Sequence, residues 1–141
     1  MRHIGFVVLL FSLFGNSGDG GREALCVKHI ESPGYGRVAR AAHVVGVVVL
    51  SVTIDPEGKV IQAELVSGSP LLSNDAIENV RSWIFKRPEH SPVVQRIVYE
   101  YRMEGEASEV GISNATFDLP DHVRIVVNPP AELTIEAKPG S

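Results

Sequence analysis

The sequence predicts an α+β domain: an antiparallel β-sheet of about three strands with two helices on one face, plus a β-rich C-terminal extension. Three stretches carry that prediction. From Gly46 to Ile54, Val48, Leu50, Val52 and Ile54 alternate with Val47, Val49, Ser51 and Thr53, the period of two that turns one face of a strand into a core. From Leu72 to Trp83, apolar residues recur at Leu72, Ala76, Val80 and Trp83, as in a helix laid on a sheet. From Val94 to Met103 the alternation returns, with Ile97, Tyr99, Tyr101 and Met103 on one face and Arg96, Val98, Glu100 and Arg102 on the other.

Bulk composition sets the class. The 141 residues, 44% of them hydrophobic, suffice for one self-supporting core. A formal charge of −4 gives nucleic acid no basic surface to bind. Arg2, the apolar run Ile4–Phe14 and the small residues that follow are the pattern of a secretory signal, expected over residues 1–20. That run is shorter than the roughly 20 apolar residues a membrane helix needs, so no stable span is expected in the mature chain. The single cysteine, Cys26, has no internal disulfide partner. Arg22, Glu23 and Leu25 precede it where a lipid attachment site would have small neutral residues. A semi-buried thiol is the plain expectation.

Residues 21–34 read as a flexible lead closed by Ser32-Pro33-Gly34. A short helix follows from Arg37 to about Val44, with Val38, Ala41 and Ala42 on one face, Arg37 and Arg40 on the other, and Gly46 ending it. Asp55-Pro56-Glu57-Gly58 then turns the first hairpin. Asp55 can bond its own backbone, Pro56 fixes φ, and Gly58 takes the left-handed corner. The return strand, Lys59–Val66, places Ile61, Ala63 and Leu65 inward. Ser73 is the expected cap of the second helix, Asp75 suits its positive end, and Ile77 and Ile84 widen its stripe. Pro88 stops it. Beyond Gly105, residues 105–141 form a tail with β-rich pieces at His122–Val127 and Leu133–Ala137; Pro120 and Pro129-Pro130 keep both short.

In order and spacing, residues Tyr35 to Met103 resemble the C-terminal domain of the TonB family, the periplasmic end of a bacterial energy transducer. The motifs are Tyr35 with Ala39-Arg40; Gly46-x-Val48-x-Leu50-x-Val52-x-Ile54; Asp55-Pro56-Glu57-Gly58; Ser67-Gly68-Ser69; and Trp83-x-Phe85-x-x-Pro88. Gly36 stands where the family usually has proline, and Ile84 where it commonly has arginine. The expected domain is 35–104, with Tyr35, Arg40, Gly46, Asp55, Gly58, Trp83, Phe85 and Pro88 as its structural signature. Expected too is a short exported form without membrane anchor or proline-rich spacer.

The resemblance implies a non-enzymatic periplasmic interaction module linked to transmembrane transport, without cofactor or metal. An extended segment of a protein partner, such as a TonB-dependent outer-membrane receptor, would add as a strand beside Val94–Met103, against Arg96, Val98, Glu100 and Arg102. The alternative is a self-contained envelope protein or homodimer whose edge strand is covered by its own tail. Catalysis finds little footing. Cys26 and His29 are neighbours but lack a third ligand, His43, His90 and His122 are scattered, and Asp55 is taken by its turn. Gly18-Asp19-Gly20-Gly21 leads into no phosphate-binding strand–helix unit.

Overall fold

The computed structural model describes residues 25–90 and 92–132. The expected signal segment and the piece Leu133–Ala137 lie outside them. Within them, the elements are β1 (Val27–His29), α1 (Arg37–Ala41), β2 (Gly46–Ile54), β3 (Val60–Ser67), α2 (Pro70–Arg81), β4 (Ile84–Phe85), β5 (Val93–Met103), β6 (Ser113–Asp118) and β7 (His122–Val127). The class is α+β, as expected, but the sheet is larger and mixed. Five strands run in the order β3-β2-β5-β7-β6, and β1 pairs with β4 in a separate two-stranded ribbon.

The hairpin turn forms as its residues dictate. Asp55 Oδ1 accepts from the Glu57 and Lys59 amides at 2.9 and 2.8 Å, and Gly58 adopts φ 92°. Gly58 also lies against β4: a Cβ there would stand 2.0 Å from the Phe85 carbonyl oxygen, and the Phe85 amide donates to the Gly58 carbonyl at 2.8 Å. No other residue meets both conditions.

Four local expectations are corrected. The first helix ends at Ala41, and His43, not Gly46, takes the left-handed position (φ 54°); Gly46 opens β2. Ser69 caps α2, its Oγ accepting from the Leu71 amide at 3.3 Å; Ser73 sits buried inside the helix and donates back to the Pro70 carbonyl. Ile84 belongs to β4 and is exposed. In β3 the pairing skips Ile61 and Val66. These bulges put Val60 opposite Ile54 and leave Ile61 exposed, so the expected inward trio shrinks to Ala63, with Leu65 half-exposed. Part of the expected flexible lead is a strand as well, Val27 pairing with Phe85.

One core joins these elements on the helix side of the sheet: Val48, Leu50, Val52 and Ile54 of β2, Ile97, Tyr99 and Tyr101 of β5, Val123 and Ile125 of β7, and Ala39, Leu72, Ala76 and Val80 of the helices. Trp83 is buried at its centre, ringed by Phe85, Tyr99 and Phe117 at centroid distances of 6.1, 6.2 and 6.4 Å. Tyr35 closes one end with its ring edge-on to Tyr101 at 5.3 Å and its hydroxyl donating to the Val44 carbonyl.

The tail joins by a crossover. β5 and β7 are parallel, with Met103 opposite Val127, while Ser113 of β6 also lies opposite Val127. The segment 104–112 therefore steps over the end of β7, roughly two strand spacings or ~10 Å, and β7 returns between β5 and β6. Arg40 and Asn128 hold this loop. Arg40 donates to the carbonyls of Asn128 (2.8 Å), Ser108 (2.7 Å) and Pro129 (3.1 Å). Asn128 accepts from the Ile112 amide at 2.8 Å and donates to the Val110 carbonyl at 3.0 Å.

Candidate functional site

The partner site expected from the sequence is the outer edge of Val94–Met103. The structure places that strand second from neither end: β2 pairs with Val93–Tyr101 on one side, and β7 pairs with Val98–Met103 on the other. This corrects the expected open edge, and the reason is packing. Val123, Ile125 and Val127 of β7 are essentially fully buried. Burying each such side chain contributes about 1.5–3 kcal/mol, so peeling β7 away would forfeit several kcal/mol, comparable to the ~5–15 kcal/mol that holds a whole domain folded. A partner cannot exchange with β7 cheaply.

The four named side chains do share the face away from the helices. There Glu100 is engaged within the chain: Arg124 Nε donates to its Oε2 at 3.1 Å, His122 Nε2 lies at 3.5 Å, and Arg102 Nε approaches Oε1 at 3.7 Å. The Arg124 hydrogen bond is the main reason the Glu100 carboxyl is held below its ordinary pKa, with His122 adding to it. Arg102 also reaches Glu104 at 3.5 Å. Val98 is half-buried and Arg96 exposed.

In the five-stranded sheet, stretches of β5, β3 and β6 lack a strand on one side among the described residues. β7 reaches only Val98, so Val93–Ile97 has a short free edge, where the Gln95 side chain donates to the Arg96 carbonyl at 3.0 Å. β3 forms one margin of the sheet, but its two bulges break the register and Glu64 is exposed along it; bulges and edge charges discourage pairing. β6 forms the other margin. Its pairing with β7 runs through six consecutive residue pairs without a shift. It contains no proline or lysine, and its one charge, the exposed Asp118, stands at its last position. Of the three it is the one geometrically suited to receive another strand.

Sequence reasoning missed β6, and it missed Asn79. Asn79 Oδ1 accepts from Trp83 Nε1 at 3.0 Å and from the Tyr99 hydroxyl at 2.8 Å, while its Nδ2 donates to the Glu31 carbonyl at 2.8 Å. One amide thus ties α2, β5 and the N-terminal lead together. The sequence signal was available: Asn79 stands four residues before Trp83, the spacing that brings two side chains together across a helical turn, and Trp83 follows directly on the last turn of α2. The Gly36 departure also has a counterpart, since a Cβ there would stand 2.3 Å from Asp75 Oδ2. Burial, with Glu78 nearby, pushes the Asp75 carboxyl pKa up.

Cys26 is exposed rather than semi-buried, and His29 lies 3.7 Å from Glu31. Among the described residues no three metal-ligating side chains converge, and no helix is long and apolar enough to cross a membrane.

Two helices, Tyr35 and Trp83 against a sheet whose central pair is β2 and β5 define an α+β domain. Residues 31–103, just over half of the chain, match the family described as Gram-negative bacterial TonB protein C-terminal. The chain belongs to that family. The family is a non-enzymatic, periplasmic interaction domain linked to transport. No curated protein matches the chain.

Proposed function

We propose that this chain is a periplasmic protein-interaction module, without catalytic activity of its own, exported by its first 20 or so residues. It takes up an extended segment of a protein partner, such as an outer-membrane receptor, by strand addition at β6. The supporting observation is the uninterrupted register of Ser113–Asp118, whose outer side has no strand among the described residues. Main-chain hydrogen bonds would supply affinity, and the side chains alternating along the added strand would supply selectivity.

The test is amide hydrogen exchange of the full chain with and without a receptor-derived extended peptide. Added protection confined to Ser113–Asp118 supports the reading. Protection of Val60–Ser67 instead, or of neither margin at saturating peptide, rejects it. A second reading, a self-contained envelope protein that docks nothing, is favoured by the closure of Val98–Met103 by β7. It predicts that no such peptide changes exchange at either margin.

A further inference from the structure

At the first residue of β6 the sheet margin opens into a cleft of about 520 Å³, bordered by Tyr35, Arg37, Arg40, Glu109, Ser113 and Pro130. Ser113 pairs with Val127, whose side chain is buried with the core, so the cleft lies on the helix side of the margin. Two arginines and one glutamate line it. Arg40 is engaged with three backbone carbonyls. Arg37, exposed in the first turn of α1, makes no ion pair among the described residues. Glu109 makes none among the described residues either, and nor do Asp75 and Glu78, which with Glu31, the residue beside His29, border a neighbouring cleft that Arg37 also lines.

We propose that this cleft is a selectivity pocket for an acidic side chain of the segment docked on β6, with Arg37 as the residue that meets it. The proposal rests on the docking reading above. A strand laid along β6 turns every second side chain to the helix side, and the one level with Ser113 arrives over the cleft. Among the described residues Arg37 is the cation of the cleft without an ion-pair partner, and a guanidinium meets a carboxylate through charge-assisted, two-pronged hydrogen bonds. Tyr35 and Pro130 also line the cleft. Because a hydrogen bond to a charged group is worth more than a neutral one, Glu in this position is preferred over Gln by about fivefold.

A displayed library of random extended peptides, selected on the full chain, tests this. Enriched peptides are expected to share Asp or Glu at one fixed position and to protect the Ser113–Asp118 amides. Replacing that acid by its amide should weaken binding about fivefold, and Arg37→Gln should abolish the preference while β6 is still protected. Peptides that protect β6 with no acidic position, or whose acidic preference survives Arg37→Gln, overturn the pocket and leave the docking reading standing. Failure to enrich any peptide that protects β6 overturns both. So does protection of Ser113–Asp118 in the peptide-free chain, whether by its own residues 133–141 or by a second copy.

Discussion

Two hairpins flank β5. On one side, β2 and β3 are joined by the tight Asp55–Gly58 turn; on the other, β6 and β7 are reached only by stepping over a strand end. The first announces itself in the sequence and the second barely does. Yet β3, the longer strand, buries only Ala63, while the shorter β7 buries Val123, Ile125 and Val127. Strength of local pattern does not determine how much a strand contributes to the core. Here the inconspicuous hairpin supplies three core side chains and occupies the β5 edge.

Substitutions can break that comparison. The largest difference is expected between Ile125→Ala and Leu65→Ala. Ile125 is fully buried, so its truncation should cost about 2–5 kcal/mol. Half-exposed Leu65 should cost less than about 1 kcal/mol in the same denaturant titration. Equal effects would mean that the tail hairpin is no more part of the core than β3.

Next in size is Asn79→Ala, which leaves the Tyr99 hydroxyl and Trp83 Nε1 without their acceptor. A loss of about 1–3 kcal/mol is expected. Two residues further along β5, the Tyr101 hydroxyl is buried with no hydrogen-bond partner among the described residues. Tyr101→Phe should therefore be neutral or slightly stabilising, whereas Tyr99→Phe should destabilise. A reversed order would contradict the assignment of Asn79 to Tyr99.

The smallest effect is on acid stability. The Glu100 carboxyl titrates below its ordinary value of 4.5 because Arg124, His122 and Arg102 surround it. A lowered folded-state pKa gives stabilisation that is present above the unfolded value and lost as pH falls through the folded one. Glu100→Gln should remove that part of the acid sensitivity, read as a flatter midpoint-versus-pH curve below about pH 4.5. An unchanged curve would mean that the β5–β7 charge contact adds nothing to the closure.

Much of the body of the fold was legible because its residues act locally. The alternation in β2 and β5, the stripe Leu72-Ala76-Val80 and the Asp55–Gly58 turn each express one short-range rule, and each forms, although the helix ends at Arg81 and Trp83, expected on its stripe, lies just past it. β6 was not legible: in Ser113-Asn114-Ala115-Thr116-Phe117-Asp118 only Ala115 and Phe117 face the core, and Asn and Asp are weak strand formers. His122–Val127 was legible as a β-rich piece, but not its place beside β5, because a parallel pairing across a crossover leaves no local mark. Arg40 was picked out by the motif, and its task of holding the crossover loop appeared only once residues 108 and 128–129 were seen beside it.

The closure of β5 by the chain's own β7 is most directly tested by native-state hydrogen exchange of the isolated full chain. The amides of Val98–Met103 and of Gly46–Ile54 should exchange only through global unfolding, with the same high protection, while the outward amides of Ser113–Asp118 exchange freely. Rapid exchange along Val98–Met103 beside a protected Gly46–Ile54 would mean that the edge is open in solution, and would contradict the account.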